Sequence, residues 1–566
     1  MSELIRDLAL FGLVIGSGTL PIAARLRQGS PLERLSIGAG ATLILFYAAA
    51  AGLYLTGLSW RWLWLLPLAG TGGIWFERRQ VATLQTDATI RAGVIGWLLL
   101  SGWCLGLHAF IFNYCGGGWA GDWYEHYERA SFFLQHWPLD HRFLGFNLLP
   151  ARPPLANLAT AGFMGMAGGA FVHYQVFTTL LSTLVFFPLA ALTQRRGENL
   201  RALSLLALLL MLNPLLVHNA TFTWTKLPAA FFVLLAVVLL LRSLETKSGH
   251  GWAGVMLGAG LVAHYSVATW ILALGAAWLW CGRALWREDG FRREAVVGAL
   301  AAAALIGTWL GWAAWHYGHQ VVEATSTVGL APAATVGGHI LIGLANIGHT
   351  LVPDWDSPIL VTLLQQSDQW ARLRDLWFCL YQQNLPVACG LGGMVVLAWL
   401  IAGRAFRSGG GFWKILVPLA VIGVVSHTWP VDLGLTHICL QPLVLLALAW
   451  LADEAEHLPR WLQLAWAGGL AADFLLGIAL HFGVQSLALE RWSHPELNDV
   501  QLAGRSASTM MMNLRGKISL QQPFLYDLLT GRLGLVLLLA AGVLALAMVR
   551  WHHSRKFVSL RVPATP

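Results

Sequence analysis

Charged residues are scarce in this chain of 566 residues. Asp, Glu, Lys and Arg make up 11% of it, whereas a soluble globular domain carries about 25%. Hydrophobic residues make up 57%, and the mean hydropathy is +0.62. This balance argues against a string of ordinary soluble domains. It predicts an all-α fold, a polytopic bundle of transmembrane helices.

Acidic residues are almost missing from the long apolar runs, which are numerous enough for roughly 13 to 15 spans of about 20 residues each. These runs lie near 8–24, 35–57, 60–76, 92–113, 173–193, 202–217, 226–242, 252–281, 295–316, 385–403, 413–428, 433–452, 461–482 and 533–549. The run 252–281 is long enough for two short helices with a tight turn near 264–267. The stretch 153–172, which is rich in Gly and Ala, is predicted to be an interfacial or re-entrant helix that does not cross.

Cysteine is also scarce, and the six residues show no CxxC pair and no zinc-ligand spacing. Cys104, Cys281 and Cys439 lie in or beside apolar runs and are predicted to be small core residues. Cys115 and Cys379 fall on the predicted outer side, where a disulfide between them is left open. The chain has no repeat of fixed period, and its first apolar run is expected to be an uncleaved span.

The net charge of +8 comes from short loops rather than from a nucleic-acid surface. Clusters of Arg near 25–34, 78–91, 195–201, 283–293 and 404–414 and in the tail after 550 follow the positive-inside rule, which makes these loops cytoplasmic. No nucleic-acid partner is predicted. The four longer polar segments 114–172, 218–225, 317–384 and 483–532 then lie outside, as expected for a multi-pass protein of a bacterial inner membrane whose functional face is outward.

Four regions follow from this topology. Residues 1–91 form extra N-terminal helices, and residues 92–482 form a transmembrane core that includes the acidic first outer loop, 114–172. Residues 483–532 are too polar to span, and they form either a lid over the active cavity or a solvated loop. Residues 533–566 hold the last span and a basic tail.

The chain concentrates acids in one place, the stretch GDWYEHYERA that follows three glycines after a span. One interpretation is helix capping, with Asp122 as N-cap, Glu125 at N3, and Glu125 and Arg129 as a surface pair four residues apart. The other is chemical: a carboxylate at the membrane surface can act as a general base on a hydroxyl group. Trp123 and Tyr124 add flat faces and a hydroxyl group of the kind that binds a sugar.

An Asp-led acidic motif directly after a span resembles the type C superfamily of integral membrane glycosyltransferases, which includes protein O-mannosyltransferases and the aminoarabinose transferase of lipid A. The resemblance covers roughly residues 92–482. Within this range, three further segments are similar to motifs of these relatives: Arg152-Pro153-Pro154-Leu155, Thr223-Trp224-Thr225-Lys226 and Ala263-His264-Tyr265-Ser266. The spacing Asp-x-x-Glu differs from the adjacent acids or Asp-x-Asp of many relatives. It leaves open which carboxylate is the base and whether a metal ion binds.

The resemblance implies an inverting transfer of a sugar from a polyprenyl-phosphate donor in the membrane to a hydroxyl or amine acceptor on a glycan, a lipid or a protein. Asp122 is the expected base, with Glu125 as second choice. Cations must stabilise the leaving phosphate, and the candidates on the outer side are Arg152, Lys226 and Arg505.

Each of these candidates also has a structural interpretation. Lys226 at the mouth of a span is either a phosphate ligand or a lysine that snorkels to the interface. His264, which lies between short helices, is either a substrate contact or a hydrogen-bonded structural residue.

Metal ligation is a weaker prediction, and no other cofactor is indicated. Asp354 and Asp356 lie in a long outer loop with His339 and His349 upstream, but the spacing matches no standard site. A turn around two prolines accounts for the same residues. His427 and Asp432, on a short outer tip, are interpreted as a turn, with a substrate contact as the alternative.

Two other functions remain as alternatives to glycosyl transfer. A transporter or flippase would place ionisable groups near the middle of the membrane and often shows two related halves. An assembly subunit without catalysis would not need acids beside basic residues on one face. The sequence shows neither related halves nor acids within most spans, which favours the enzyme.

Overall fold

The computed structural model describes residues 2–111, 119–145, 147–195, 199–222, 224–247, 250–321, 335–353, 372–373, 376–377, 380–381, 384–402, 410–425, 440–480 and 522–530. Within these ranges the chain is helical and contains no β-strand. In the described part of the chain, six helices are long and apolar enough to cross a membrane, or seven if the bent pair Leu200–Leu212 and Pro214–Thr221 is one span: Ser2–Arg25, Pro31–Thr56, Ala88–Phe110, Phe171–Thr193, Lys226–Thr246 and Asp289–Tyr317. The predicted all-α, multi-pass architecture is therefore confirmed.

Shorter helices fill the space between and beside these spans. They include Leu65–Phe76, Arg78–Thr86, Trp119–Gln135, Leu155–Ala167, Leu200–Leu212, Pro214–Thr221, His250–Ala263, Val267–Cys281, Val336–Leu351, Leu391–Ala402, Gly410–Val425, Gln441–Glu454, Arg460–Ile478 and Leu525–Thr530. The run 252–281 does form two helices with a turn at 264–266, as predicted. Helix Leu155–Ala167 has 13 residues, or about 20 Å, which is too short for the roughly 30 Å hydrocarbon core. The last predicted span, 533–549, lies outside the described residues.

Polar residues fix where several of these helices begin and bend. The Ser30 side chain accepts a hydrogen bond from the Glu33 backbone at 3.3 Å, and Gly57 in the left-handed region ends the same helix. Asn213 separates two helices that meet at 67°, because its side chain accepts a hydrogen bond from Leu216 N and Pro214 cannot continue the preceding helix. Its Nδ2 also donates to the Ala388 carbonyl at 2.8 Å.

The centre of the bundle is helix Phe171–Thr193, in which 94% of an apolar stretch of 18 residues is buried by other parts of the protein. The N-terminal helices pack directly on this core. The Asp7 carboxylate accepts a hydrogen bond from His173 Nδ1 at 2.6 Å, and Glu33 pairs with Arg242. By contrast, only 11% of the corresponding stretch of helix Asp289–Tyr317 is buried, so this helix lies at the periphery, where lipid would cover it.

The predicted burial of the cysteines is correct for Cys104 but wrong for Cys281, which is exposed on the protein surface. Cys281 is the last residue of helix Val267–Cys281. An apolar run predicts burial in lipid as much as burial in protein, so hydropathy alone cannot place such a residue in the core. Cys115, Cys379 and Cys439 lie outside the described residues.

Candidate functional site

The helix that carries the acidic stretch, here called the acidic helix, spans Trp119–Gln135. It begins three residues before Asp122, so the prediction that Asp122 is the N-cap is wrong. Asp122 lies instead in the first turn, where a negative charge complements the helix dipole. The side chains of Asp122 and Trp123 lie outside the described part of the chain. Asp122 precedes His126 by four residues, and positions with this spacing share one helix face.

Glu125 and Arg129 form an ion pair as predicted, but the pair is buried rather than on the surface. Glu125 Oε1 accepts from Arg129 Nε at 2.9 Å and from Nη2 at 2.6 Å, and both residues are 0% exposed. Arg129 also donates to the carbonyls of Leu148 and Leu149 and lies 4.1 Å from the centre of the Phe143 ring. The loop from Phe143 onward therefore folds over the acidic helix and excludes water from the ion pair. The spacing of four residues between Glu125 and Arg129 cannot indicate this burial.

Arg152 supplies a second cation to the same carboxylate. Its Nε lies 3.5 Å from Glu125 Oε2. Burial lowers the pKa of Arg129, and the adjacent Glu125 carboxylate opposes this shift. Two guanidinium groups on one buried carboxylate make Glu125 the counter-charge that holds the loop against the helix.

Lys226 is buried among protein side chains, with 6% exposure, so the snorkelling interpretation is not supported. Its Nζ lies 4.3 Å from the centre of the Trp224 ring, a cation–π contact. The preceding residue, Thr225, contacts the acidic helix, because its Oγ1 lies 3.5 Å from His126 Nε2. His126 Nδ1 is in turn 3.2 Å from Asn157 Oδ1. The structure thus brings Lys226 to the acidic helix.

The turn that contains His264 packs on the same region. His264 is buried, and its Nδ1 lies 2.9 Å from Ser266 Oγ, which agrees with the structural interpretation. Tyr265 donates to the Pro150 carbonyl at 2.9 Å and accepts from Trp309 Nε1 at 2.8 Å. This contact fastens the turn to the loop that ends at Arg152.

The other face of the acidic helix meets residues from near the end of the chain. Tyr127 donates to Gln522 Oε1 at 3.3 Å, and the Phe171 backbone donates to the same atom at 3.0 Å. The Phe524 ring packs 4.5 Å from that of Phe171, measured between centroids. Of the segment predicted to form a lid or a solvated loop, residues 522–530 are described, and they are anchored beside the acidic helix.

Two tyrosines at the site remain protonated near neutral pH. Burial raises the pKa of Tyr124 to about 12, with smaller contributions from Glu128 and Tyr127. Burial likewise raises the pKa of Tyr265 to about 12. Both phenols are therefore hydrogen-bond donors rather than bases.

Some residues of this site had no individual prediction. His126 links the acidic helix to Thr225, and Glu128 accepts from the Leu144 backbone at 2.9 Å and lies 3.1 Å from His141 Nε2. The spacing of four between Asp122 and His126 is a signal that indicates a shared face. Nothing in the sequence indicates that Gln522 lies at this site, because its contacts join residues more than 350 positions apart in the chain.

The remaining candidates belong to the predicted outer loops and to the weaker prediction of a metal site. Across the described ranges, no group of three or more His, Cys, Asp or Glu side chains is arranged to hold a metal ion. His339 and His349 lie on helix Val336–Leu351. Asp354, Asp356, His427, Asp432 and Arg505 lie outside the described residues.

Residues 119–317 match the protein family described as dolichyl-phosphate-mannose-protein mannosyltransferase. The matched region covers about a third of the chain and includes the acidic helix, Arg152, Lys226 and His264. It confirms the predicted resemblance to this branch of the type C glycosyltransferases. No curated protein and no solved structure matches the chain.

Proposed function

On the premise that residues 119–317 form a glycosyltransferase region of the type C superfamily, we propose that the protein is a membrane mannosyltransferase. The donor is a polyprenyl-phosphate sugar held in the membrane, and the acceptor is a hydroxyl group of a protein or glycan. Transfer takes place at the outer membrane surface, on the face opposite to the basic loops.

The reaction needs a base, and Asp122 has this role. Its carboxylate takes the proton of the acceptor hydroxyl while the acceptor oxygen attacks the anomeric carbon of the sugar. The bond between that carbon and the phosphate oxygen breaks, the bonding electrons leave with the polyprenyl phosphate, and the configuration inverts. A general base contributes about 10²- to 10⁴-fold to such a step.

The observation that carries this proposal is the buried arc of the acidic helix. Glu125, His126 and Arg129 are 0%, 3% and 0% exposed, so this side of the helix faces the protein interior. At 3.6 residues per turn, their positions together with Asp122 span an arc of about 100°. The helix position of Asp122 therefore falls within this arc, one turn before the residue that contacts Thr225.

Lys226 and Arg152 are the cations for the leaving phosphate. Lys226 follows the residue that His126 contacts, and Arg152 lies on the loop that the Arg129 and Tyr265 contacts hold in place. A side chain held in this way needs little rearrangement as negative charge develops on the phosphate. Glu125, between two guanidinium groups, has a positioning role instead of the role of base.

The transporter alternative finds little support in Asp473, a buried acid of the later helices. Asp473 lies in helix Arg460–Ile478 and is 0% exposed. Its carboxylate accepts from the Leu391 backbone and from the Tyr381 hydroxyl, the latter at 3.1 Å. The bond from Leu391 caps helix Leu391–Ala402, and the bond from Tyr381 fixes the carboxylate. Both are structural roles that do not need a transport path.

The test is the substitution Asp122→Asn at matched expression, followed by mass spectrometry of extracted lipids and glycans. We expect a polyprenyl-phosphate hexose to accumulate and one acceptor to lose a hexose, because an amide cannot take the acceptor proton. Glu288→Gln, which changes an exposed acid outside this site to its amide, is the matched control and should retain transfer. Unchanged lipid and acceptor profiles in the Asp122 variant contradict the proposal.

A further inference from the structure

A basic cavity of about 840 Å³ lies at the end of the bundle away from the acidic helix. Four arginines line it: Arg25, Arg27, Arg242 and Arg293. Arg242 lies on the same helix as Lys226, sixteen residues further on, which places the two ends about 24 Å apart. The cavity is therefore separate from the proposed catalytic site.

Two of the four arginines are neutralised by carboxylates. Arg25 Nε lies 2.7 Å from Glu77 Oε1, and Arg242 pairs with Glu33. Arg27 and Arg293 are exposed and form no hydrogen bond or ion pair with another residue of the described part. One acid, Glu294, also lines the cavity. The cavity keeps a positive charge, and its two unpaired guanidinium groups can still bind a phosphate.

An apolar wall continues from the arginines along the helices. It is formed by Ile37, Leu239, Trp252, Val255, Val297 and Ala301. Val297 is 54% exposed and Trp252 is 39% exposed, so the wall opens sideways to the surrounding lipid. A soluble phosphate would use only the arginines, whereas a phospholipid would use both the arginines and this wall.

We propose that this cavity binds an anionic phospholipid of the leaflet opposite the catalytic site. Its phosphate lies between Arg27 and Arg293, and an acyl chain lies along the apolar wall. By the positive-inside rule this is the cytoplasmic leaflet, whose surface is negative. The proposal is independent of glycosyl transfer, because the cavity shares no residue with the catalytic site.

The experiment uses the full chain in nanodiscs with equal amounts of phosphatidylglycerol and phosphatidylcholine. Native mass spectrometry after release counts the lipids that stay bound. The double variant Arg27→Gln and Arg293→Gln removes the two unpaired charges. The control, Arg79→Gln and Arg287→Gln, removes two exposed arginines from the same face that do not line the cavity.

We expect the wild type and the control to retain phosphatidylglycerol selectively. In the cavity variant, the preference for phosphatidylglycerol should fall about tenfold or more, since each basic residue near an anionic lipid surface strengthens the electrostatic binding severalfold. An equal loss in both variants shows non-specific surface charge and overturns the proposal, as does the absence of lipid selectivity in the wild type. Displacement of the lipid by inorganic phosphate alone would also overturn it, since the site would then recognise the anion without the chain.

Discussion

The substitution Glu125→Gln separates the two roles that the sequence allows for this residue. If Glu125 is the counter-charge for Arg129 and Arg152, its loss reduces the stability of the fold. If it is the catalytic base, its loss reduces turnover and leaves the stability unchanged. We expect the first outcome, because the buried carboxylate accepts two hydrogen bonds from Arg129 and lies 3.5 Å from Arg152.

The expected cost follows from the burial of the pair. Removing one partner of a buried ion pair costs about 3–5 kcal/mol, because the other charge is left uncompensated. Glutamine keeps an oxygen that can accept one bond from Arg129, so the loss should lie at the lower end of this range. The exposed pair of Lys247 and Glu288, at 2.7 Å with side chains 54% and 45% exposed, is the control. Glu288→Gln should cost about 0–1 kcal/mol.

The assay is resistance to unfolding of purified protein in one detergent, read by thermal aggregation and by pulse proteolysis. A double-mutant cycle with Arg129→Met isolates the interaction energy between Glu125 and Arg129. The bonds from Arg129 to the Leu148 and Leu149 carbonyls are lost in both the single Arg129→Met variant and the double variant, so their contribution cancels. We expect the two substitutions together to cost clearly less than the sum of the single ones.

Two results would refute this reasoning. The first is an additive cycle, which would mean that Glu125 and Arg129 do not interact in the folded protein. The second is a Glu125→Gln variant that is as stable as the Glu288→Gln control but lacks turnover. That result would indicate that Glu125 is the catalytic base.

Three further predictions concern the donor, the outer segment and the topology. Lys226→Met keeps an apolar chain against Trp224 but removes the charge and its cation–π contact, so the donor KM should rise roughly tenfold or more with only a small loss of thermal stability; an unchanged KM excludes a phosphate contact. Gln522→Ala should speed hydrogen exchange in residues 522–530 without global unfolding; equal exchange rates show that Gln522 is not the anchor. In a cysteine-free background, exposed Asp140→Cys should react with an impermeant thiol reagent in intact cells, whereas Arg79→Cys should react only after permeabilisation; the reverse pattern contradicts the outward orientation.

The fold was predictable from the sequence because lipid imposes a simple rule on the backbone. A segment in hydrocarbon must satisfy its own hydrogen bonds, so apolar runs of sufficient length become helices. The turn at His264 follows equally local chemistry, whereas the apolar run 202–217 gave no sign of the break at Asn213 and Pro214. What hydropathy cannot predict is which apolar face meets protein and which meets lipid, as the exposure of Cys281 shows.

The candidate site was predictable as a set of motifs but not as a geometry. Arg152, Lys226 and His264 were selected from separate segments, and the structure connects all three segments to the acidic helix directly or through its covering loop. The burial of Glu125 was not predictable, because the covering loop is placed by contacts between distant residues. The same sequence pattern, Glu and Arg four residues apart, is compatible with a weak ion pair on the surface and with a buried ion pair.

The N-terminal helices make contacts with residues 119–317, the region that matches the family. These contacts show whether that region depends on the helices before it. Asp7 is 0% exposed and its hydrogen-bond partner His173 lies within the matched region, as does Arg242, the partner of Glu33. Without the first helices, His173 and Arg242 would lose these partners. A buried or half-buried charge without its partner is costly. The helices that precede the acidic loop are therefore better understood as part of one folding unit with residues 119–317 than as an appended domain.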